Sequence, residues 1–356
     1  MIIIIRNQAG SEERAQLMTL LCRLTGSQRP VTPTILSGCE VITLDGSSLD
    51  EQAKTLLSQQ EAVERLISIK TPYKLVSRDF KPRGSQVVVG DALGGTPVTI
   101  GNTADGAISP VIIAGPCAVE GREQLLSTAR AVQAAGARIL RGGAFKPRTS
   151  PYQFQGLGVE GLQMLAEARE LTGLPVITEV MEPALVETVA QYADILQIGS
   201  RNMQNFPLLL EAGRNSKRRP VMLKRGLAST IDEWLLAAEY IVAAGNPNVI
   251  LCERGIRSFD PQTRNVLDLA CVPLLHELTH LPVIVDPSHA TGRRELVPTM
   301  SCAAIAAGAE GLILEVHPDP QSALCDGRQS ITAEQLQSIV HQTHLIAQMM
   351  EPSYVA

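Results

Sequence analysis

Four side chains able to bind a transition metal are scattered along this sequence: Cys117, His289, Glu315 and Asp326. A thiolate, an imidazole and two carboxylates form a mixed donor set suited to a divalent ion. No local spacing links them, so only the fold could bring them together. Read singly they are bland, Cys117 as a small buried hydrophobe and His289 as a helix-capping loop residue. His317 and Cys325 stand close enough to compete for the same role. A second group is cationic: Arg141, Lys146, Arg148, Lys224 and Arg254. Arginine grips phosphate or carboxylate with a planar fork, and lysine adds a compact charge. Each alone reads as a solvated surface charge. Gathered at the ends of apolar runs, in a chain of net charge -5, they point to an anionic ligand with more than one phosphate.

The elements that must position these groups start at Val111. Eight apolar runs alternate with amphipathic stretches: "VIIAG", "ILRGG", "VITEV", "ILQIG", "VMLKR", "VILCER", "VIVDPS" and "LILEV". Continuous rather than alternating apolar residues predict strands buried on both faces, as in a parallel sheet. Thr230 with Glu233, and Thr332 with Gln335, fit capping boxes at helix starts. Eight strand-helix units predict a (β/α)8 TIM barrel. A doubly wound open sheet is the rival, but no strand is followed by a dinucleotide or P-loop glycine fingerprint.

Such barrels work at the C-terminal ends of their strands. Those ends carry Cys117 after the first strand, then Arg141 with Lys146, Pro147, Arg148 and Thr149 after the second. Glu179 ends the third and "QIGSRN" follows the fourth. Lys224 and Arg225 end the fifth strand, and Glu253 and Arg254 the sixth. Asp286 and His289 follow the seventh, and Glu315 and Asp326 the eighth.

Upstream, residues 1–75 read strand, helix, strand, strand, helix, strand, which predicts a small ferredoxin-like α+β domain. Residues 76–110 read as linker and hairpin: "KTPYKLVSRDFKPRG" looks like a connector, and "SQVVVGDALGGTPVTIG" turns around Gly94 and Gly95. The barrel then occupies 111–350. With 45% apolar and 19% charged residues the chain is too apolar for disorder. Its acidity and 3% aromatic content argue against nucleic acid. "MIIII" is too short to span a membrane and lacks the parts of a signal peptide, so a cytoplasmic protein is expected. Seven irregularly spaced cysteines do not look like a disulfide framework.

At these same residues the sequence resembles the 3-deoxy-D-arabino-heptulosonate 7-phosphate (DAHP) synthases, in the type I beta-like branch related to the octulosonate-phosphate synthases. The motifs are "IAGPCAVE", "LRGGAFKPRTSPYQFQG", "QIGSRNMQNF", "MLKRG", "CERGIRSF", "VDPSHATGRR" and "LEVHPDP" followed by "CDG". The resemblance implies condensation of phosphoenolpyruvate with erythrose 4-phosphate, the first step of the shikimate route to aromatic amino acids. It implies that Arg141, Lys146, Lys224 and Arg254 hold phosphoenolpyruvate. Lys146, Pro147, Arg148 and Thr149 would meet the aldose phosphate. Cys117, His289, Glu315 and Asp326 would hold manganese, iron, zinc or cobalt. Lys146 is a candidate acid and Glu179 a weaker candidate for positioning water. The runner-up is an octulosonate-phosphate synthase using arabinose 5-phosphate; "KPRTS" favours the four-carbon sugar, and cysteine at 117 favours metal dependence. A catalytically silent barrel that senses phosphorylated metabolites would be expected to lack some of this set. By resemblance the N-terminal domain would be a lid over the mouth answering to tyrosine or phenylalanine, and the chain a homodimer or homotetramer. No chorismate mutase segment is read beside the barrel.

Overall fold

The computed structural model describes residues 1–350 apart from 27–31, 37, 45–48, 102–108 and 149. Its first six elements are β1 (Ile2–Ile5), α1 (Ser11–Thr25), β2 (Thr34–Leu36), β3 (Cys39–Thr43), α2 (Glu51–Ser58) and β4 (Val63–Ile67). The sheet runs β2-β3-β1-β4, with every neighbouring pair antiparallel. That is the ferredoxin-like arrangement expected from the sequence. The four isoleucines of β1 explain its central place. Ile3 and Ile5 face α1 and α2, packing with Leu17, Leu21 and Leu57. Ile2 and Ile4 turn to the other face and join Leu36, Val41 and Tyr73. Asp50 caps α2 by accepting a hydrogen bond from the Ala53 N–H (2.8 Å). Gly26, at φ 64°, ends α1 in the left-handed conformation that glycine adopts without strain.

The closed barrel consists of β7 (Val111–Gly115), β8 (Ile139–Arg141), β9 (Val176–Glu179), β10 (Ile195–Ile198), β11 (Val221–Lys224), β12 (Val249–Glu253), β13 (Val283–Val285) and β14 (Gly311–Glu315). All eight pairings are parallel, including β14 with β7, which shuts the ring. The eight strands therefore fall on the eight apolar runs, and the open-sheet rival is excluded. Outside lie α3 (Arg122–Ala134), α4 (Val159–Thr172), α5 (Val186–Tyr192), α6 (Phe206–Arg214), α7 (Ile231–Ala243), α8 (Cys271–Leu278), α9 (Pro287–Thr291), α10 (Val297–Ala306) and α11 (Ala333–Met349). Both expected capping boxes form, at Thr230 of α7 and Thr332 of α11.

Inside the ring an apolar layer is built from Ile113, Ile139, Ile177, Ile195, Met222, Ile250, Ile284 and Ile313. A hairpin of β5 (Val87–Val89) and β6 (Val98–Ile100) packs Val87, Val89, Val98 and Ile100 into the same cluster. Its turn meets the loop before β9, where the Thr96 N–H donates to the Gly173 carbonyl (2.7 Å). The hairpin thus seals the N-terminal end of the barrel. Gly90, at φ 104°, lies against Pro175 with no room for a side chain.

Two expectations are corrected here. The stretch read as a linker is packed: Tyr73, Leu75 and Val76 are buried, and the Glu239 carboxylate of α7 accepts the N–H groups of Leu75 (2.8 Å) and Val76 (3.0 Å). Three apolar residues dispersed among charged and turn-forming ones concealed that anchor. Nor, among the described residues, does the N-terminal domain line the mouth. Thr34 donates to the Ala243 carbonyl (3.3 Å) at the C-terminal end of α7. That helix end leads into the start of β12, so the domain rests on the flank near the sealed end.

Candidate active site and metal centre

Side chains two apart on a strand share a face. Adding two to each inward apolar residue gives the mouth: Ile113 leads to Gly115, Ile139 to Arg141, Ile177 to Glu179 and Ile195 to Gln197. Met222 leads to Lys224, Cys252 to Arg254, Ile284 to Asp286 and Ile313 to Glu315. The same parity sends Arg225 and Glu253 outward. They pair with each other (3.0 Å), and Arg225 also reaches Asp268 (2.8 Å) and lies over the Trp234 ring.

The mouth opens on a cavity of about 430 Å³. Arg141, Lys146, Pro147, Arg148, Lys224 and Arg254 all line it, as do Glu179, His289 and Asp326. Thr149 lies outside the described residues. Arg201, Arg257 and Arg264, which sequence reasoning did not single out, bring its cationic lining to eight side chains against two carboxylates. Arg201 belongs to the "QIGSRN" run. Arg257 and Arg264 sit on an excursion closed by an Ile256–Val266 bridge, where no strand-end rule would look.

Local geometry holds Lys146 in place. Its ammonium donates to the Cys117 carbonyl (3.0 Å) and sulfur (3.2 Å), folding back over Gly143. A side chain at Gly143 would strike both Lys146 and Cys117, which accounts for the second glycine of "RGGAFK". At Gly199 a β-carbon would displace the Glu179 carboxylate from its present position, so this glycine gives that side chain its room.

The four metal-ligand candidates converge. Asp326 is the joint: its Oδ2 lies 3.5 Å from Cys117 Sγ and 3.9 Å from His289 Nε2. His289 Nε2 is 3.2 Å from Glu315 Oε1. Donor atoms of Cys117, Cys325 and Asp326 lie within 4.8 Å of one another, and so do those of His289, Glu315 and Asp326. Cys325 therefore belongs to the cluster, 3.1 Å from Cys117, with Arg148 on its sulfur (2.7 Å). The other competitor, His317, turns toward Glu120 (3.5 Å).

Asp286 organises the rim. Buried, it accepts the Lys224 ammonium and the His289 Nδ1–H (2.8 Å) on one oxygen, and the His289 backbone N–H (2.9 Å) on the other. The Nδ1 bond leaves the Nε2 lone pair aimed at Glu315 and Asp326. Burial pushes the His289 pKa down despite Asp286 and Glu315, so the imidazole is neutral at neutral pH. A lone pair facing two carboxylates is unfavourable unless a cation stands among them, and the thiol, imidazole and carboxylate chemistry fits a divalent ion.

A family model described as the DAHP synthetase I family matches residues 95–351. The chain belongs to the DAHP synthetase I family. It is 46% identical over 354 residues to a phospho-2-dehydro-3-deoxyheptonate aldolase of Thermotoga maritima, covering 98% of each chain. A crystal structure of that Thermotoga aldolase, also termed DAHP synthase, superposes with a TM-score of 0.74 at 44% identity, covering 98% of this chain and 97% of that one. A truncated Thermotoga form gives 0.69 over 78% of this chain and 97% of that one, at 47% identity. A 2-dehydro-3-deoxyphosphooctonate aldolase of Bradyrhizobium diazoefficiens is more distant, 37% identical over 68% of this chain and 92% of its own. The family is metal-dependent, and side chains able to hold an ion are present here. Among the described residues no helix is long and apolar enough to cross a membrane.

Protonation at the family's site follows from its crowding. Burial is the largest single influence and would raise the Asp286 and Glu315 pKa values, but the protonated form of His289 together with Lys224 and Arg141 at Asp286, and with Arg141 and Lys146 at Glu315, outweighs it; both stay ionised. The hydrogen bond to Cys325, then burial, pushes the Cys117 thiol well up, and the same bond draws Cys325 down. A bound cation inverts that order, since a coordinating thiol gives up its proton. Burial would lower Lys146, but Cys117, Cys325 and Glu179 prevail and raise it, so it stays charged.

Proposed function

We propose a division of labour at the barrel mouth for the family's reaction. The chain is a transferase that condenses phosphoenolpyruvate with D-erythrose 4-phosphate and water, giving 3-deoxy-D-arabino-heptulosonate 7-phosphate and phosphate. A new carbon–carbon bond joins the enol carbon to the aldehyde carbon. Water adds to the enol-phosphate carbon, and its carbon–oxygen bond to phosphate breaks. Arg141, Lys146, Lys224 and Arg254 hold phosphoenolpyruvate. Pro147 and Arg148, with Lys146, face the aldose phosphate, a role that the resemblance extends to Thr149. The residues that would hold the ion are Cys117, His289, Glu315 and Asp326; manganese, iron, zinc and cobalt are the candidates. Such an ion supplies Lewis acidity to the aldehyde oxygen.

The chain's own groups do the rest. Two substrates carrying phosphates repel each other, and the eight cations of the cavity lining bring them together at low electrostatic cost. Lys146 reaches both binding regions and is the candidate proton donor; its raised affinity for the proton ties that role to neutralisation of the nearby thiolate. Glu179, beside Gln197 (3.5 Å), is placed to orient water.

The observation that carries this reading is one cavity faced by the cation set and by His289 and Asp326, with Cys117 against Asp326 (3.5 Å) and Glu315 against His289 (3.2 Å) just behind. Its test offers phosphoenolpyruvate with erythrose 4-phosphate or arabinose 5-phosphate, following phosphate release with and without a chelator. Release with the four-carbon sugar alone, abolished by the chelator, is the expected result. Preference for the five-carbon sugar would overturn the sugar assignment, and full activity after chelation would overturn the ion.

Residues 1–75 form a regulatory unit in this reading, 76–110 the connector and plug, and 111–350 the catalytic barrel. Tyrosine or phenylalanine is the proposed effector, acting in a cytoplasmic homodimer or homotetramer. Initial rates with each amino acid, and sedimentation of the full chain, test those two points.

A further inference from the structure

We propose that Gln329 is a positioning residue of the ion centre, one that fixes the roll of the Glu315 carboxylate; this rests on Glu315 being a ligand. Gln329 is 3% exposed and held at both ends of its amide. Its Nε2 donates to Glu315 Oε2 (2.6 Å), and its Oε1 accepts from Arg264 Nη1 (3.0 Å). Arginine can only donate and an ionised glutamate can only accept, so the chemistry of the two partners fixes which way the amide points. The two oxygens of Glu315 are thereby distinguished. Oε2 is tied to Gln329, while Oε1 faces His289 Nε2 (3.2 Å) and Arg141 Nη2 (3.0 Å).

The same residue steadies a second ligand. Gln329 closes a turn by donating its backbone N–H to the Asp326 carbonyl (3.2 Å). Asp326 sits there at φ 53°, a left-handed conformation that costs a non-glycine residue energy. Arg264 adds a contact to Asp326 Oδ2 (3.6 Å). One amide therefore links the loop after β12 to the strand and loop that carry both carboxylates. A neutral amide does this without adding a charge that would compete for the ion. Nothing in the linear sequence marks it, because its partners lie 14 and 65 positions away.

Removing such an outer partner weakens metal binding by roughly 10- to 100-fold in comparable sites. The test uses the full chain, stripped of metal and titrated with Co²⁺ against a competing chelator, with the Co²⁺ absorption bands recorded. Gln329→Met keeps the length of the side chain and loses both hydrogen bonds. It is expected to bind Co²⁺ at least tenfold more weakly, with altered bands, while the melting temperature of the metal-free protein stays unchanged. If the Met variant does not fold, Gln329→Asn reads the same quantity, since it keeps the amide but is one methylene too short to span Arg264 and Glu315. Wild-type affinity and bands in either variant would overturn the proposal. Glu315→Ala runs in parallel: a large loss of Co²⁺ binding there upholds the ligand whatever Gln329 does, and no loss removes ligand and positioning residue together.

Discussion

The two ends of the barrel are made from the same eight strands and could hardly differ more. At the N-terminal end the inward positions are isoleucine and methionine, and a hairpin presses four more apolar side chains into them. Further along the same inward faces, at the C-terminal end, come Arg141, Glu179, Gln197, Lys224, Arg254, Asp286 and Glu315, around an open cavity. Stability is concentrated where water is excluded, and chemistry where charges face each other. Buried charges are costly unless paired, and four of these pair, Arg141 with Glu315 and Lys224 with Asp286. A change at one end should therefore be felt in a different measurement from a change at the other.

The largest effect is expected at the open end. Cys117→Ala removes a sulfur shared by Lys146, Cys325 and Asp326. Losing Lewis-acid stabilisation worth several kcal/mol lowers turnover on the order of 10³-fold. Circular dichroism and the melting temperature of the metal-free protein should stay as in the wild type. A variant of undiminished turnover would reduce Cys117 to a packing residue and leave the contrast between the ends without its sharpest term.

The sequence disclosed this polarity to the extent that strands disclose themselves. Continuous apolar runs located all eight strands, and the residues ending them included Arg141, Lys224, Arg254 and Glu315, which do face the cavity or its ligand cluster. Parity along each strand would also have turned Arg225 outward, where it meets Glu253. Loops were a different matter. Cys325 at 3.1 Å from Cys117, Arg264 near Asp326 and Gln329 on Glu315 depend on backbone paths with no period to read. The N-terminal strand order followed from alternation of element types, whereas the docking of that domain on the flank rests on a few contacts such as Thr34 with Ala243.

A change of middling size belongs to the sealed end. Ile100 is fully buried in the hairpin plug. Ile100→Ala leaves a cavity in a close-packed cluster and should cost about 2–5 kcal/mol of stability, read as a lower urea midpoint at unchanged slope. Its kcat/KM, measured well below the melting transition, should match the wild type. A loss of activity as large as the loss of stability would mean that the plug shapes the mouth as well, and the separation of roles between the ends would fail.

The smallest effect tests the same end by pH. His280 lies in the loop before β13, with Nδ1 on the Ser85 hydroxyl (2.8 Å) and Nε2 on the Leu75 carbonyl (2.8 Å), and so fastens the segment before the plug to the barrel. Burial pushes its pKa down to about 4, while an unfolded histidine titrates near 6.5. A depressed histidine pKa means the unfolded chain takes up the proton first. The stability that neutral His280 gives is therefore complete above about pH 6.5 and is lost as pH falls toward 4. At about 1.4 kcal/mol per pH unit, lowering pH from 7.5 to 5 should cost the wild type about 2 kcal/mol more than His280→Gln, whose amide has no proton to gain. Comparing the two proteins cancels the titrations at the mouth, since both keep that end intact. Equal pH slopes for the variant and the wild type would show that His280 is already solvated or protonated in the fold, and that the segment from Leu75 to Ser85 is held by its other contacts, such as the Glu239 carboxylate on the Leu75 and Val76 N–H groups.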